Sequence, residues 1–336
     1  MKSFDIATIL SLPELPQYLE QVEAQLQKVL TPDDPMMRTA LQRMLRSGGK
    51  RLRAALVMAA GGQRKSGSQL VAAGAAVELL HLGSLIHDDI IDDALVRRGA
   101  PAVNAKEGTA CAILSGDYAL ALACKEATEV SAAAGSLMAA TIMTLCEGEA
   151  KELADVHRPD RSLASLDVAM HGKTAALMAT ACQLGGMVGG YDKPIIVALG
   201  TFGQHFGMAF QHADDLLDFI STAALLGKPV GNDVQEGVYT LPVIVALQGK
   251  YGNEVRQLLA RKSLADSLPE LRALLQRAGA FEQSLQVIRS HVAEAHNALS
   301  ALTDARHLAL ADLPNAYIEW AMNNLVAPEY RATLQL

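Results

Sequence analysis

SQLVAAGAAVELLHLGSLIHDDIIDDA (Ser68–Ala94) decides the fold class. It contains no proline, and Leu70, Ala73, Val77, Leu80, Leu85 and Ile86 recur at helical spacing. One helix of about seven turns is expected. Its aspartates gather near the C-terminal end, where Asp88, Asp89 and Asp92 form DDIID and Asp93 adds a fourth carboxylate. Asp88 and Asp92 stand at i and i+4 and so share one face, where like charges repel unless a cation intervenes.

Outward from this helix the pattern stays helical. Gly99 and Pro101 mark a loop, followed by Ala-rich helices over 109–130 and 133–156. His157-Arg158-Pro159-Asp160 makes a polar stop before a helix over 162–188. Pro194 fits the first turn of a long helix ending near Ala223, and Gly227, Pro229 and Gly231 form a loop. Pro242 opens another helix, and residues 252–330 read as several amphipathic helices. The 336 residues are 50% hydrophobic but only 4% aromatic, with short β-branched runs, which favours an all-α chain. With no low-complexity linker, residues 1–336 are expected to form a single helical domain.

A net charge of −7 disfavours a nucleic-acid partner, and local basic groups such as Lys50, Arg51 and Arg53 suit a small anion instead. Cys111, Cys124, Cys146 and Cys182 have no CxxC spacing, so buried reduced thiols are expected rather than zinc ligands. The N-terminus has early acidic residues and no long apolar run, and no membrane-spanning segment is expected, which points to the cytoplasm.

The chemistry lies in repetition. Asp214, Asp215 and Asp218 form DDLLD about 126 positions after the first cluster, again inside an apolar helix (FGMAFQHADDLLD). One such cluster can be a solvated acidic face; two, both in apolar surroundings, call for a hard divalent ion such as Mg²⁺, held by carboxylates plus substrate phosphates. Cations are placed to match: Arg97 and Arg98 in RRGAP, Lys173 in HGKTAAL, Lys228 in LGKP. Gly99 and Gly172 beside them fit tight turns.

These segments together resemble the trans-isoprenyl diphosphate synthase (polyprenyl synthetase) family. The likeness runs from GGKRLRA (Gly48–Ala54) through HLGSLIHDDIIDDALVRRGAP, GDYALA, GKTAAL, FQHADDLLD and GKPVGND to EGVYTLP (Glu236–Pro242). It implies mostly antiparallel helices around a deep central cavity, usually as a homodimer. It further implies Mg²⁺, two or three ions per site, held by Asp88, Asp89, Asp92, Asp214, Asp215 and Asp218. An allylic diphosphate would meet Arg97, Lys173, Thr174 and Gln211, with Lys228 facing the second cluster; Lys50, Arg53, His81 and Arg98 would bind isopentenyl diphosphate. The implied reaction is loss of pyrophosphate, attack of the isopentenyl double bond on C1, and loss of a proton.

The chain departs from the family pattern at Val238, where a lysine is usual in EGVYTLP, and at Ala54, Ala102 and Glu107. In the family, residues four and five before the first aspartate face the growing chain; here they are Ser84 and Gly83, so an open tunnel and a product of roughly C30–C50 are expected by that resemblance. His87-Asp88 also forms the HD doublet of helical phosphohydrolases, but DDLLD and RRG have no role there. Terpene cyclases share the first cluster and usually carry Asn/Ser/Glu character in the second. A short-chain synthase and a non-catalytic subunit of a heteromeric synthase remain as alternatives, the latter through Val238.

Overall fold

A computed structural model describes residues 4–10, 12–61, 67–261, 265–331 and 334. Helices α1 (Ile6–Leu10), α2 (Leu15–Val29), α3 (Pro35–Arg46) and α4 (Leu52–Ala60) precede the long α5 (Ser68–Ile91). After a two-stranded ribbon come α6 (Val103–Glu107), α7 (Thr109–Thr128), α8 (Ala132–Asp155), α9 (Leu163–Met170), α10 (Ala176–Val188) and α11 (Lys193–Ile220). Short α12 (Ala223–Leu226) and α13 (Asn232–Gln235) lead to α14 (Leu241–Gln248), α15 (Gly252–Leu259), α16 (Leu268–Arg277), α17 (Ala280–Ala298), α18 (Ala305–Leu325) and α19 (Pro328–Arg331). The expected all-α class is what forms.

Helix α5 packs along α7, α4 and α10, and α11 lies between α10 and α17. Buried Leu79, Leu80, Ile86, Phe202, Phe206 and Phe219 belong to one continuous core. Helix α5 is long and apolar enough to cross a membrane, yet 72% of its most apolar window is buried by the bundle. It is a core helix. Helix α11 starts where Asp192 accepts from the Ile195 amide, with Pro194 in the first turn. Its close approach to α10 needs glycine: a Cβ on Gly203 would lie 2.6 Å from the Met178 carbonyl, and one on Gly207 2.5 Å from the Ala175 Cα.

Five expectations are corrected. Helix α5 ends at Ile91, and the Gly99–Pro101 loop is a ribbon, β1 (Val96–Arg97) on β2 (Ala100–Pro101), with Arg97 opposite Ala100. Its two turn residues, Arg98 (φ 52°) and Gly99 (φ 76°), are left-handed, the turn that matches strand twist. The helix expected over 162–188 is interrupted by a π-turn at His171–Ala175. The long helix stops at Ile220, and Ala223 opens α12 under a Thr222 cap. Among the cysteines, Cys111 and Cys182 are buried, Cys124 is partly so, and Cys146 is exposed.

Candidate active site

The first cluster divides its aspartates. Asp88 and Asp92 lie on the open side of α5, whereas Asp89 is fully buried and bonded at 2.7 Å by Arg97 Nε. The ribbon folds Arg97 back onto it, and Asn104 Nδ2 donates to the Asp89 carbonyl. Among the described residues, the second Asp89 oxygen is buried without a hydrogen-bond partner. Asp89 and Arg97, expected as ligands of metal and diphosphate, therefore face each other in this conformation. Burial raises Asp88 to about 6, with Glu149 and Asp92 adding to it and Lys173 opposing. Asp92 is raised as well, first by burial and then, against Lys173, by Glu236.

The second cluster divides differently, with its last two aspartates buried. Asp214 is partly exposed and pairs with Lys228 at 3.1 Å, while Asp215 is buried and accepts from Gln211 Nε2 at 2.9 Å. Gln211 in turn accepts from the Thr174 hydroxyl at 2.7 Å. Asp218, expected as a metal ligand, is only 2% exposed and takes the Gly231 amide at 3.0 Å and the Asp233 amide at 3.4 Å. Asp215 is pushed well above the carboxylate range by burial and by Asp233. Asp233, which the motif reading passed over, is raised to about 7 by burial and by Asp218 and Asp214.

Lys173 stands on the π-turn, and its place is set by a glycine pair. A Cβ on Gly148 of α8 would lie 2.6 Å from the Gly172 Cα, so α8 and the turn touch backbone to backbone. Gly172 is thus a packing residue and not the turn residue expected from sequence. The contact brings Lys173 Nζ to Glu149 at 2.9 Å and into an ion pair with Glu152. Burial lowers Lys173, but the two glutamates outweigh it and hold the ammonium charged. Glu152 also raises Asp92, Asp215 and Asp233 electrostatically, the smallest of the causes acting on each.

Beside the clusters, a cavity of about 930 Å³ is lined by Lys50, Arg53, His81, Arg97, Arg98, Asp214 and Lys228. It gathers the cations expected to hold the second substrate. Glu78, missed in the sequence, anchors this floor: it is 4% exposed, accepts from the Ala54 amide at 3.1 Å and pairs with Arg51 at 3.3 Å. Among the described residues, Arg53 Nε is buried without a hydrogen-bond partner, and Arg98 donates to the Gly48 carbonyl. Burial, then Arg53 and Arg98, drive His81 well below its ordinary pKa, so it is neutral here. Lys50 lies 5.2 Å over the Trp320 ring.

Below Asp88 a second cavity, of about 320 Å³, is walled chiefly by Ser84, Leu120, Ile142, Leu145, Cys146 and Leu153. Gly83 is not among its walls. It is buried against α7, where a Cβ would meet Leu120 at 3.0 Å and the Gly116 carbonyl at 3.1 Å. Of the two expected chain-facing residues, only Ser84 reaches the cavity. The departures read simply: Ala54 and Ala102 are fully buried, and Glu107 is paired with Arg43. Val238 is partly buried, and its amide closes the loop on the Asp233 carbonyl at 2.8 Å.

The acidic set fits divalent cations, since carboxylates raised first by burial and then by their acidic neighbours are relieved by a positive charge between them. Among the described residues, no three side chains of ligating type converge closely enough to hold an ion alone. That suits ions drawing their remaining ligands from diphosphate and water.

The polyprenyl synthetase family pattern matches residues 34–274. Component 2 of the heptaprenyl diphosphate synthase of Geobacillus stearothermophilus is 35% identical over 303 residues, spanning 88% of this chain and 93% of that protein. A short chain isoprenyl diphosphate synthase of Methanothermobacter thermautotrophicus is 33% identical, spanning 91% and 97%. The crystal structure of a Caulobacter crescentus polyprenyl synthase, complexed with calcium and isoprenyl diphosphate, superposes with a TM-score of 0.85 at 28% identity, covering 95% of this chain and 98% of that one.

Proposed function

This chain belongs to the polyprenyl synthetase family, and we propose that it is one all-trans polyprenyl diphosphate synthase domain, adding isopentenyl diphosphate head to tail onto an allylic diphosphate. The observation that carries this reading is the pairing of two cavities at one set of carboxylates. A cation-lined cavity of about 930 Å³ lies beside Asp214, and an apolar one of about 320 Å³ opens under Asp88.

Mg²⁺, two or three ions, would be held by Asp88, Asp92, Asp214 and Asp215, and supplies charge neutralisation for a departing diphosphate. The chain's own groups do the rest. Lys173, paired with Glu152, and Lys228, paired with Asp214, draw the allylic diphosphate down, and the Thr174–Gln211 pair orients it. Lys50, Arg53, His81 and Arg98 hold the diphosphate of isopentenyl diphosphate in the neighbouring cavity. The allylic C1–O bond breaks with its electron pair going to the diphosphate; the isopentenyl double bond attacks C1, and the C2 proton leaves to the released pyrophosphate. Leu120, Ile142 and Leu145 keep water from the allylic cation.

Ser84 leaves the apolar cavity open one turn below Asp88, and its remaining walls are mostly apolar. A long product, roughly C30–C50, is the reading this supports. A short product is the second reading, favoured by the cavity's modest volume and by the short-chain relative. Exposed Ile113, Leu114, Met143 and Leu153 on the neighbouring helices α7 and α8 support a homodimer. The proposed compartment is the cytoplasm, where water-soluble diphosphates are met.

Purified protein with Mg²⁺, labelled isopentenyl diphosphate and, separately, C5 to C20 allylic primers is expected to give products of C30 or longer by mass spectrometry. Products ending at C15 or C20 establish the second reading. No elongation, with Mg²⁺ and diphosphate still bound, refutes the catalytic reading and leaves a subunit that needs a partner.

A further inference from the structure

The C-terminal end of α8 carries Glu149, Glu152 and Asp155, each one helical turn from the next. Arg161, from the connection to α9, folds back against the last two and is only 5% exposed. Its Nε lies 3.4 Å from Asp155 Oδ2, its Nη2 lies 3.9 Å from Glu152 Oε2, and its Nη1 donates to the Tyr239 carbonyl at 3.2 Å. Among the described residues, Nε and Nη2 are buried without a hydrogen bond, so they meet the two carboxylates through charge. Asp155 has further partners in Lys151 at 3.3 Å and the Ser165 hydroxyl. Glu152 is placed differently. Its other oxygen pairs with Lys173, so one carboxylate is shared by two cations of unequal freedom. Arg161 is enclosed and tied to Tyr239, whereas Lys173 lines the open cavity under Asp88 on a flexible stem.

We propose that Arg161 is a positioning residue for the allylic substrate: a fixed counter-ion that keeps Glu152 paired when Lys173 turns from it to the diphosphate. This rests on the prenyl-transfer reading above, because that reading gives Lys173 its diphosphate. A carboxylate in a half-buried site that loses its last cation is costly, whereas one that keeps a second cation is not. With Arg161 in place, Lys173 leaves a carboxylate that is still compensated. Without it, Glu152 holds Lys173 as its own cation and competes with the substrate for it. Arg161 touches neither substrate in this arrangement and acts only through Glu152.

The test is a double-mutant cycle read in steady-state kinetics with Mg²⁺, isopentenyl diphosphate and the best of the C5 to C20 allylic primers. Arg161→Gln keeps a donor for the Tyr239 carbonyl and drops the charge. It is expected to raise the KM for the allylic diphosphate about tenfold, and that for isopentenyl diphosphate less than about twofold. Arg161→Lys, which keeps the charge, is expected to restore most of the allylic KM. Glu152→Gln is expected to lower the allylic KM about two- to threefold, since Lys173 then leaves a neutral neighbour. The double variant, Glu152→Gln with Arg161→Gln, is expected to match Glu152→Gln within about twofold. A folded Arg161→Gln with the parent's allylic KM overturns the inference. A double variant as impaired as Arg161→Gln also overturns it, because Arg161 then serves only to brace the fold. Should Arg161→Gln not fold, Glu152→Gln decides: a lowered allylic KM supports the inference and an unchanged or raised one overturns it. A parent protein that elongates no primer fails the prenyl-transfer reading and the inference with it, whereas an elongating parent with any of the overturning results fails the inference alone.

Discussion

Gly83 and Ser84 are adjacent in sequence, yet their environments differ: Gly83 is closed in by Leu120 and the Gly116 carbonyl, and Ser84 lines the cavity under Asp88. A helix turns about 100° per residue, so two neighbours cannot serve one pocket equally. Ser84→Phe is therefore expected to fill the cavity and shorten the product by several isoprene units, read by mass spectrometry. Gly83→Ala is expected to leave product length alone and to destabilise the fold by about 1–3 kcal/mol, the usual range for overpacking, read by denaturant unfolding. The same limit on what spacing reveals applies to the aspartates. The i, i+4 rule correctly puts Asp88 and Asp92 on one face. It says nothing of Asp89, whose partner Arg97 arrives only because the ribbon after α5 turns back. Asp218 likewise meets its partners through a loop 13 to 15 residues on, a closure that carries no period in the sequence.

At the scale of elements, the junction of α8 with the π-turn positions Lys173. One inserted residue leaves the apolar pattern of 162–188 intact, which is why the sequence reads there as a single helix, and Gly172 then looks like a turn residue. Gly148→Ala is expected to push the turn from α8, because the added carbon falls 2.6 Å from the Gly172 Cα. The outcome to measure is a fall in turnover with a raised requirement for allylic diphosphate, as Lys173 leaves its place. Asp88 on α5 and Asp233 on α13 also predict a pH dependence. An ordinary aspartic acid ionises near pH 4, whereas Asp88 holds its proton to about 6 and Asp233 to about 7. Between those values the native protein binds more protons than the unfolded chain, so metal-free stability falls as pH rises from about 4 to 7. A divalent ion must displace the same protons, so its affinity climbs over the upper part of that window. Calorimetry of Mg²⁺ binding with pyrophosphate, at pH 5.5 and 7.5, is expected to show the tighter binding at the higher pH.

For the whole molecule, the helix-rich class and the two acidic clusters follow from apolar periodicity and charge placement, which are local and repeat along the chain, whereas the cavity and its cations follow from the family resemblance. What joins them is not local. Glu78, Glu152 and Asp233 belong to neither aspartate motif, and only packing brings them near the site. The outer face of α7 and α8 follows the same logic one level up. Leu114 is 57% exposed and Met143 is 64% exposed, large apolar groups on helices whose inner sides build the product cavity. Covering them with a second copy would remove apolar surface from water at about 25 cal/mol per Å² and would stiffen the cavity wall carrying Leu145 and Cys146. Leu114→Glu combined with Met143→Glu should then yield a monomer by sedimentation, with helix content unchanged and products shorter or more heterogeneous than those of the parent. A parent protein that sediments as a monomer and elongates normally refutes the homodimer. A monomeric parent that does not elongate instead requires a different partner on this face, as the name of the component 2 relative suggests for that protein.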